Sequence, residues 1–427
     1  MPKTVAFQGI RYNLNKVDLV NALCPPYDTI SPQQEDEYYA MSEYNAIRLV
    51  LGKQFPKDSK TDNRYTRASH SFNQWLAEGI LIQETSPAMY YHEHTYTIGE
   101  KTHTRIGIIA AVRIDDGLDR YILPHEKTLK APKLDRLRLM NEVKANLSCA
   151  FGIYSDPNKW IENQIKPNLS LPVMDIMRPG ESQKLWVIQQ PDLIDKISNM
   201  MIDKKVLLAD GHHRYETSKT YRDRMRAITG KKTGNEHFDY TLMYLTNMDE
   251  GLTILPTHRV IIDSMGVGLV DLEYRIKEIF NMIPYDNKKT FLTALQKGGA
   301  GRIGLYVKGI PRYYLLEVLE NADLLKFMTH DTHPLLKQLD ITILHSCIIE
   351  PILGIGQSHG ASRIAFISNA NEALQIVESE KADIAFLLNA NSISEIMNIA
   401  ENGLKMPQKS TYFYPKIPTG LAFHRLG

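Results

Sequence analysis

The sequence predicts a mixed α/β or α+β protein. Apolar residues recur at helical spacing in several segments, for example at Ala68, Phe72 and Trp75. Residues 88–114 instead contain two strand-like runs that flank a glycine turn, which is typical of an antiparallel hairpin. Residues 364–403 are predicted to form strand, helix, strand and helix in succession. Helices and strands mixed with hairpins in this way favour the α+β class.

In the first half of the chain, the elements follow from local signals. Ser31 and Pro32 are typical of an N-cap followed by proline at the first helical position. Gly79 is expected to end the helix that contains Trp75. A further helix is predicted from Pro132, because Leu134, Leu137, Val143 and Leu147 share one face. Strands are then predicted within 148–156 and 184–190, and a helix over 192–203.

In the second half, strands are predicted over 237–248 and 252–262 and a helix over 269–282. A hairpin over 302–319 and a helix over 342–355 follow. The C-terminal tail, residues 406–426, mixes aromatic residues with proline and glycine and is expected to be ordered.

The length and composition describe a globular protein of two domains. The chain has 427 residues, more than one ordinary core accommodates. We predict a catalytic region over 1–235 and an additional α/β domain with an ordered tail over 236–427. The net charge of +1 gives no general attraction to nucleic acid or to an anionic membrane.

The cysteine content and the hydropathy predict a cytoplasmic protein. The three cysteines lie far apart and include no CxxC pair, which favours a reducing compartment. The N-terminus lacks the apolar stretch of a signal peptide, and no segment reaches ~18 uninterrupted apolar residues. A homodimer is left open.

One strand-to-helix corner combines residues that a packing role does not require. The apolar run 206–209 ends in Asp210 and Gly211, and His212, His213 and Arg214 follow. The exposed N–H groups at a helix start favour an anion, above all a phosphate, and an arginine binds phosphate with two hydrogen bonds. An aspartate at this place suggests a general base for an attacking hydroxyl or a ligand of bridging Mg²⁺.

Two other interpretations of this corner remain open. Asp210 could cap the helix while the histidines pack or face solvent. A zinc site is disfavoured, because adjacent histidines rarely bind one metal and the HxxxH spacing is missing. No direct protein ligand of Mg²⁺ is therefore assigned, apart from the option of Asp210.

Further candidate residues lie in loops. His125, Glu126 and Lys127 follow a predicted strand, and Glu126 is a candidate general base, with Arg136 and Lys127 as charge partners. The alternative is a solvated surface loop. The remaining candidates are Tyr27 and Asp28 after two prolines, Arg259 within an apolar strand, and Lys409 in the tail. An arginine inside an apolar strand is expected to have an acidic or phosphate partner, or to lie at the strand's exposed end.

The motifs PPYDTIS, PHEKT, ADGHHRYET, LPTHR and PQKSTYFYPK, in this order, resemble a large bacterial and archaeal family known as domain of unknown function ten-fifteen. The ADGHHR segment is also similar to the corner of ParB/sulfiredoxin-like free-serine kinases. That resemblance implies a ParB/sulfiredoxin-like catalytic region in which Gly211, His212, His213 and Arg214 hold nucleotide phosphates. It also implies that Asp210, with an upstream glutamate for which we propose Glu126, acts on a hydroxyl.

The resemblance therefore implies a phosphotransferase that uses ATP or ADP with Mg²⁺. The expected acceptor is a small hydroxyl compound, with free L-serine or O-phosphoserine as the best candidate, and the reaction could run in reverse in serine biosynthesis. Two alternatives stay open: a phosphoserine phosphatase-type phosphomonoesterase and a non-catalytic nucleotide-binding module. Neither nucleic acid nor a membrane is an expected partner.

Overall fold

The computed structural model describes residues 3–117, 120–297, 299–328, 332–356 and 363–427. The chain folds into two compact units. The first unit contains the chain up to Pro124, Thr128–Thr253 and Pro415–Gly427. The second unit contains His125–Lys127 and Ile254–Tyr414. The predicted functional division, with a catalytic region over 1–235, stays a prediction.

The first unit is a sheet with helices around it. Its strands are β1 (Thr4–Val5), β2 (Ile10–Tyr12), β3 (Leu81–Gln83), β4 (Met89–Ile98), β5 (Lys101–Arg113), β6 (Ile122–Pro124), β7 (Ala145–Asn146), β8 (Ala150–Tyr154), β9 (Met174–Arg178), β10 (Glu181–Ile188), β11 (Val206–Asp210) and β12 (Tyr240–Asn247), and β21 (His424–Arg425) follows from the C-terminus. Its helices are α1 (Leu19–Ala22), α2 (Pro32–Met41), α3 (Ile47–Val50), α4 (Arg64–Ala77), α5 (Lys130–Val143), α6 (Trp160–Gln164), α7 (Pro191–Met201) and α8 (His212–Thr229).

Among the described residues, nine of these strands form one sheet in the order β6-β11-β8-β12-β5-β4-β10-β9, with β1 beside β5. The predicted hairpin is confirmed as β4 and β5, in register from Tyr90–Ile109 to Ile98–Lys101. Strand β11 runs parallel to β6 and antiparallel to β8, and its register shifts between Leu208 and Asp210. This irregularity at the end of β11 is where the chain turns into α8.

The local signals explain the helices near the sheet. Ser31 accepts a hydrogen bond from Gln34 N–H and Pro32 begins α2, as predicted. Asn63 caps α4 in the same reciprocal way. The core beneath β11 and β12 consists of buried aliphatic side chains such as Val206, Leu208 and Leu245, and this apolar burial is the main driving force that fixes β11 in the sheet.

The second unit carries its own sheet. Its strands are β13 (Thr253–Leu255, of which Thr253 belongs to the first unit), β14 (His258–Ile261), β15 (Phe280–Tyr285), β16 (Arg302–Val307), β17 (Tyr313–Val318), β18 (Ile364–Ile367), β19 (Ile384–Leu387) and β20 (Tyr412–Tyr414). Its helices are α9 (Leu269–Ile276), α10 (Lys288–Lys297), α11 (Pro334–Lys337), α12 (Asp340–Leu344), α13 (Ala370–Glu378) and α14 (Ile393–Glu401). The strand order of its main sheet among the described residues is β15-β17-β16-β19-β14-β18.

The mixed α/β class predicted from the sequence is confirmed. Two predicted helices differ from the structure. The helix predicted over 269–282 ends at Ile276, because Phe280 begins a strand that pairs with β17. The helix predicted over 342–355 is α12 followed by a π-helical turn, His345–Ile349. No helix within the described ranges has the length and apolarity that a bilayer crossing requires.

Candidate active site

The Asp210 corner, residues 210–214, lies in the first unit between β11 and α8. Gly211 has a φ of +79° and occupies the N-cap position of α8, so Asp210 does not cap this helix. A Cβ atom on Gly211 would lie 2.9 Å from Nε of Arg214 and 3.1 Å from Cα of Ala150. Glycine is therefore required both by the left-handed backbone and by the close approach of Arg214 and β8.

Two cations flank the Asp210 carboxylate. Arg214 Nη2 donates to Oδ2 at 2.8 Å, and Lys416 Nζ donates to Oδ1 at 3.0 Å. The side chains of Asp210, Arg214 and Lys416 are only 17%, 10% and 13% exposed, so solvent screens these pairs weakly. Two cations therefore surround this carboxylate at the N-terminus of the 18-residue helix α8, where the helix dipole adds positive potential.

Arg214 is held firmly in place. Its Nη1 donates to the carbonyl of Cys149, in addition to the bond with Asp210. Burial lowers the pKa of Arg214, but the charges of Asp210 and Asp28 outweigh burial, and the net shift is upward. Arg214 therefore stays charged, and its hydrogen bonds fix the orientation of Asp210.

The two histidines of the corner have different environments. His212 is buried, at 6% exposure. His213 Nε2 accepts a hydrogen bond from the backbone N–H of Leu129 at 3.0 Å. Because Nε2 is the acceptor, a neutral His213 carries its proton on Nδ1. His213 thus connects the start of α8 to the residue before α5.

The Tyr27–Asp28 loop lies in the same unit, where Tyr27–Thr29 form a single 3₁₀ turn after the two prolines. The guanidinium carbon of Arg136 lies 3.9 Å from the centre of the Tyr27 ring, a cation–π contact. Burial raises the pKa of Tyr27 to about 12, so its hydroxyl stays neutral. Arg136 also bonds to Asp135 and to the carbonyl of Val50. Asp28 is exposed.

The remaining candidates lie in the second unit. His125 is fully buried, and its Nε2 lies 3.0 Å from Oγ1 of Thr411. The same hydroxyl lies 3.5 Å from Oε1 of Glu126. The backbone carbonyl of Lys127 accepts from Gln408 at 3.2 Å, while its side chain is exposed. Glu126 is thus held beside the segment that leads into β20.

Arg259 corrects an expectation. It is fully buried on β14, and its guanidinium donates to the carbonyls of Thr257, Gln408 and Lys409 at 2.6, 3.3 and 3.0 Å. Within the described part of the chain no carboxylate hydrogen-bonds to it, and its burial excludes the exposed strand end. Of the expected partners, an acid is present only through the charge of Glu126, and a phosphate partner stays a prediction. Burial lowers the pKa of Arg259 to about 9, while the charge of Glu126 opposes this effect. Carbonyl oxygens thus accept the hydrogen bonds of Arg259, and Glu126 acts on it through its charge.

Lys409 forms its hydrogen bond to Arg259 through its backbone, and the predicted role of its charge stays a prediction. Its carbonyl accepts from Arg259, its φ is +54°, and its side chain is exposed. The sequence predicted Lys409 as a candidate but not Lys416, which ends the same motif, PQKSTYFYPK. The signal that distinguishes Lys416 is the apolar sequence around it, because a lysine there is partly buried and needs a counterion.

A family model described as "Protein of unknown function (DUF1015)" matches residues 5–342. The chain belongs to this family. The matched range includes the Asp210 corner, the Tyr27–Asp28 loop, Glu126 and Arg259, whereas Lys409 and Lys416 lie beyond it. The membership predicted from the motifs is confirmed.

Three solved structures are similar to this chain at low sequence identity. A conserved hypothetical protein from Pyrococcus furiosus is 14% identical with a TM-score of 0.36, and the match covers 74% of this chain and 94% of that one. A free serine kinase in complex with AMP is 11% identical with a TM-score of 0.36, covering 74% and 92%. SbnI with a C-terminal truncation from Staphylococcus aureus is 10% identical with a TM-score of 0.35, covering 73% and 85%. The comparison with curated proteins gave no match.

The structure places Asp210, Gly211, His212, His213, Arg214, Tyr27, Asp28 and Arg136 in the first unit, and His125, Glu126, Lys127, Arg259 and Lys409 in the second. Within the first unit, charge interactions connect Arg214 to both Asp210 and Asp28. Among the residues that the structure describes, no group of three or more His, Cys, Asp or Glu side chains is arranged to hold a metal ion. The catalytic and binding roles of these residues stay predictions.

Proposed function

We propose that the protein is a nucleotide-dependent phosphotransferase that acts on a small hydroxyl compound, with free L-serine or O-phosphoserine as the first candidate. The observation that carries the proposal is the Asp210 carboxylate between Arg214 and Lys416, at 2.8 and 3.0 Å, at the start of α8. The similarity of ADGHHR to the phosphate-binding corner of free-serine kinases supports the same assignment.

The corner supplies the two things that phosphoryl transfer needs, namely placement and neutralisation of charge. The helix N-terminus and Lys416 attract phosphate oxygens, and Gly211 has no side chain to obstruct them. Arg214 is committed to Asp210 and to Cys149, so its main contribution is to orient the carboxylate and to add a fixed positive charge. Asp210 then accepts a hydrogen bond from the acceptor hydroxyl and takes its proton as the hydroxyl oxygen bonds to the γ-phosphorus of the nucleotide. The bond from that phosphorus to the β,γ-bridging oxygen breaks, and the nucleoside diphosphate leaves.

Two further assignments belong to the proposal. Glu126 is retained as the upstream carboxylate, supported by its place in the PHEKT motif and its contact with Thr411 in the second unit. Mg²⁺ would be carried by the nucleotide phosphates, where it neutralises their charge. A direct bond from Asp210 to Mg²⁺ would bring a third cation to a carboxylate that already pairs with two, so we assign the metal to the nucleotide phosphates alone.

The test uses purified protein with Mg²⁺, O-phosphoserine and ADP, with ATP formation and inorganic phosphate followed in parallel. ATP that appears only with phosphoserine supports a reversible serine kinase. Phosphate released without ADP replaces the proposal with a phosphatase, and nucleotide binding without either product replaces it with a binding module.

The matched variants are Asp210→Asn and Asp223→Asn. Each removes one carboxylate charge, Asp210 at the end of β11 and Asp223 on α8, but Asp223 is 58% exposed and pairs with Arg222. Asp210→Asn is expected to lower kcat by at least ~10²-fold, the typical contribution of a general base. Asp223→Asn is expected to retain wild-type activity. Equal rates in the two variants would remove Asp210 from the mechanism.

A further inference from the structure

Arg105 on β5 is a buried cation that donates its hydrogen bonds to a carbonyl and a histidine rather than to carboxylates. Its side chain is fully buried in the first unit. Nη1 donates to the carbonyl of Pro415 at 2.5 Å, and Nη2 donates to Nδ1 of His94 at 3.3 Å. Its guanidinium carbon also lies 5.2 and 5.3 Å from the ring centres of Phe151 and Tyr244.

Burial of the Arg105 charge lowers the stability of the folded protein, because the charge loses its hydration. Within the ranges that the structure describes, no carboxylate pairs with Arg105, and its Nε has no hydrogen-bond partner. A buried charge without a counterion loses several kcal/mol of hydration free energy. An apolar side chain of similar size would fill the same space without this loss, so packing alone does not explain an arginine here.

His94 fixes the orientation of Arg105. An arginine has no acceptor, so Nδ1 of His94 must be unprotonated where it meets Nη2. The proton is then on Nε2, which donates to Oε1 of Glu181 at 2.8 Å. Burial lowers the pKa of His94, and Arg105 lowers it further, although the bond to Glu181 opposes this. His94 therefore stays neutral and keeps the tautomer that accepts from Arg105.

The other end of Arg105 lies one residue from the candidate active site. The carbonyl that it binds belongs to Pro415, and the next residue, Lys416, places Nζ 3.0 Å from Oδ1 of Asp210. A proline has a fixed φ, so anchoring its carbonyl leaves little freedom in the direction of the following residue. Glu181, His94 and Arg105 thus form a hydrogen-bonded support that ends at the carbonyl of Pro415, in the peptide that joins Pro415 to Lys416.

We propose that Arg105 is a positioning residue that holds the Pro415 carbonyl and thereby keeps the Lys416 ammonium on Asp210. Its part in catalysis rests on the proposed function, whereas its effect on Lys416 does not. Loss of Arg105 frees the backbone at Pro415, and Lys416 then samples positions away from Asp210.

The experiment measures acetylation of lysine amines in the native full-length protein by an N-hydroxysuccinimide ester, followed by mass spectrometry. In the wild type, Lys416 is expected to react slowly relative to the exposed Lys409 in the same digest. Arg105→Met is expected to raise the rate at Lys416 about tenfold, the factor that 1.4 kcal/mol of lost hydrogen-bond free energy gives.

The matched control is Arg222→Met. Arg222 is a buried arginine of the same unit that donates to the carbonyls of Ile114 and Asp115, both at 3.1 Å. It is expected to lower stability without raising the rate at Lys416. If Arg105→Met does not fold, Arg105→Lys and His94→Ala test the same support, with smaller expected increases.

The two readouts separate the two proposals. A wild-type rate at Lys416 in every Arg105 and His94 variant, or an equal increase in Arg222→Met, would overturn the positioning role. Faster acetylation with a lower kcat and an unchanged Tm would support it in full. Faster acetylation in a protein without any phosphotransfer would leave the positioning role standing and would count against the proposed function alone.

Discussion

The Gly211→Ala substitution tests the geometry of the Asp210 corner directly. Alanine in a left-handed conformation costs about 1–2 kcal/mol. At Gly211 the new Cβ would also lie 2.9 Å from Nε of Arg214 and 3.1 Å from its Cζ, so the guanidinium must move. The charge-assisted bond to Asp210 is worth about 1.5–3 kcal/mol. We therefore expect a total destabilisation of about 3–4 kcal/mol.

Gly230→Ala is the matched control, because Gly230 ends the same helix with a φ of +70°. No atom lies within 4 Å of its added Cβ, so it carries the backbone cost alone. The change in unfolded-state entropy is common to both substitutions and cancels in the comparison. The expected difference between the variants is about 2 kcal/mol, a Tm difference of roughly 4–8 °C for a unit of this size.

The assay is urea unfolding followed by tryptophan fluorescence. Trp75, Trp160 and Trp186 all lie in the first unit, so the signal reports on the unit that contains the corner. A parallel activity measurement is expected to show the larger loss in Gly211→Ala. If the two variants unfold within about 0.5 kcal/mol of each other, the range of an ordinary surface change, the close approach is not what requires glycine at position 211.

Two further predictions concern the Tyr27 loop and a buried histidine. Tyr27→Leu removes the ring that faces Arg136 and is expected to lower the free energy of unfolding in urea by about 1 kcal/mol. Tyr27→Phe keeps the ring and is expected to lower it less. Equal losses in the two variants would show that the cation–π contact contributes nothing to stability. Burial lowers the pKa of His258 from 6.5 to about 4. The unfolded chain then binds the proton first as the pH falls, so the stability present above pH 6.5 decreases by about 3 kcal/mol by pH 4. His258→Gln keeps an acceptor for the Leu388 N–H, which donates to Nδ1 of His258 at 3.1 Å. In hydrogen-exchange measurements on the second unit, this variant is expected to lose less stability as the pH falls. An unchanged dependence of stability on pH would contradict the lowered pKa of His258.

Local signals accounted for much of the fold. The hairpin of β4 and β5, the cap at Ser31 and the helix that contains Trp75 depend on neighbours in the sequence, and all three are confirmed. The helix predicted over 269–282 was wrong at its end, because pairing with β17 overrides the helical pattern from Phe280 onward.

The sequence alone determined the Asp210 corner as a glycine between a buried strand and a helix, since apolar runs and helix starts have local causes, whereas the left-handed backbone of Gly211 came from the structure. It did not reveal Lys416, which is separated from Asp210 by 206 positions in the sequence and meets it only in the folded first unit. It also did not reveal Arg105, whose partners His94 and Pro415 come from distant segments. Which cation neutralises which carboxylate is decided by burial and by the return of the C-terminal segment to the first unit. No local pattern encodes that return, because the free energy that stabilises it comes from contacts between segments far apart in the chain.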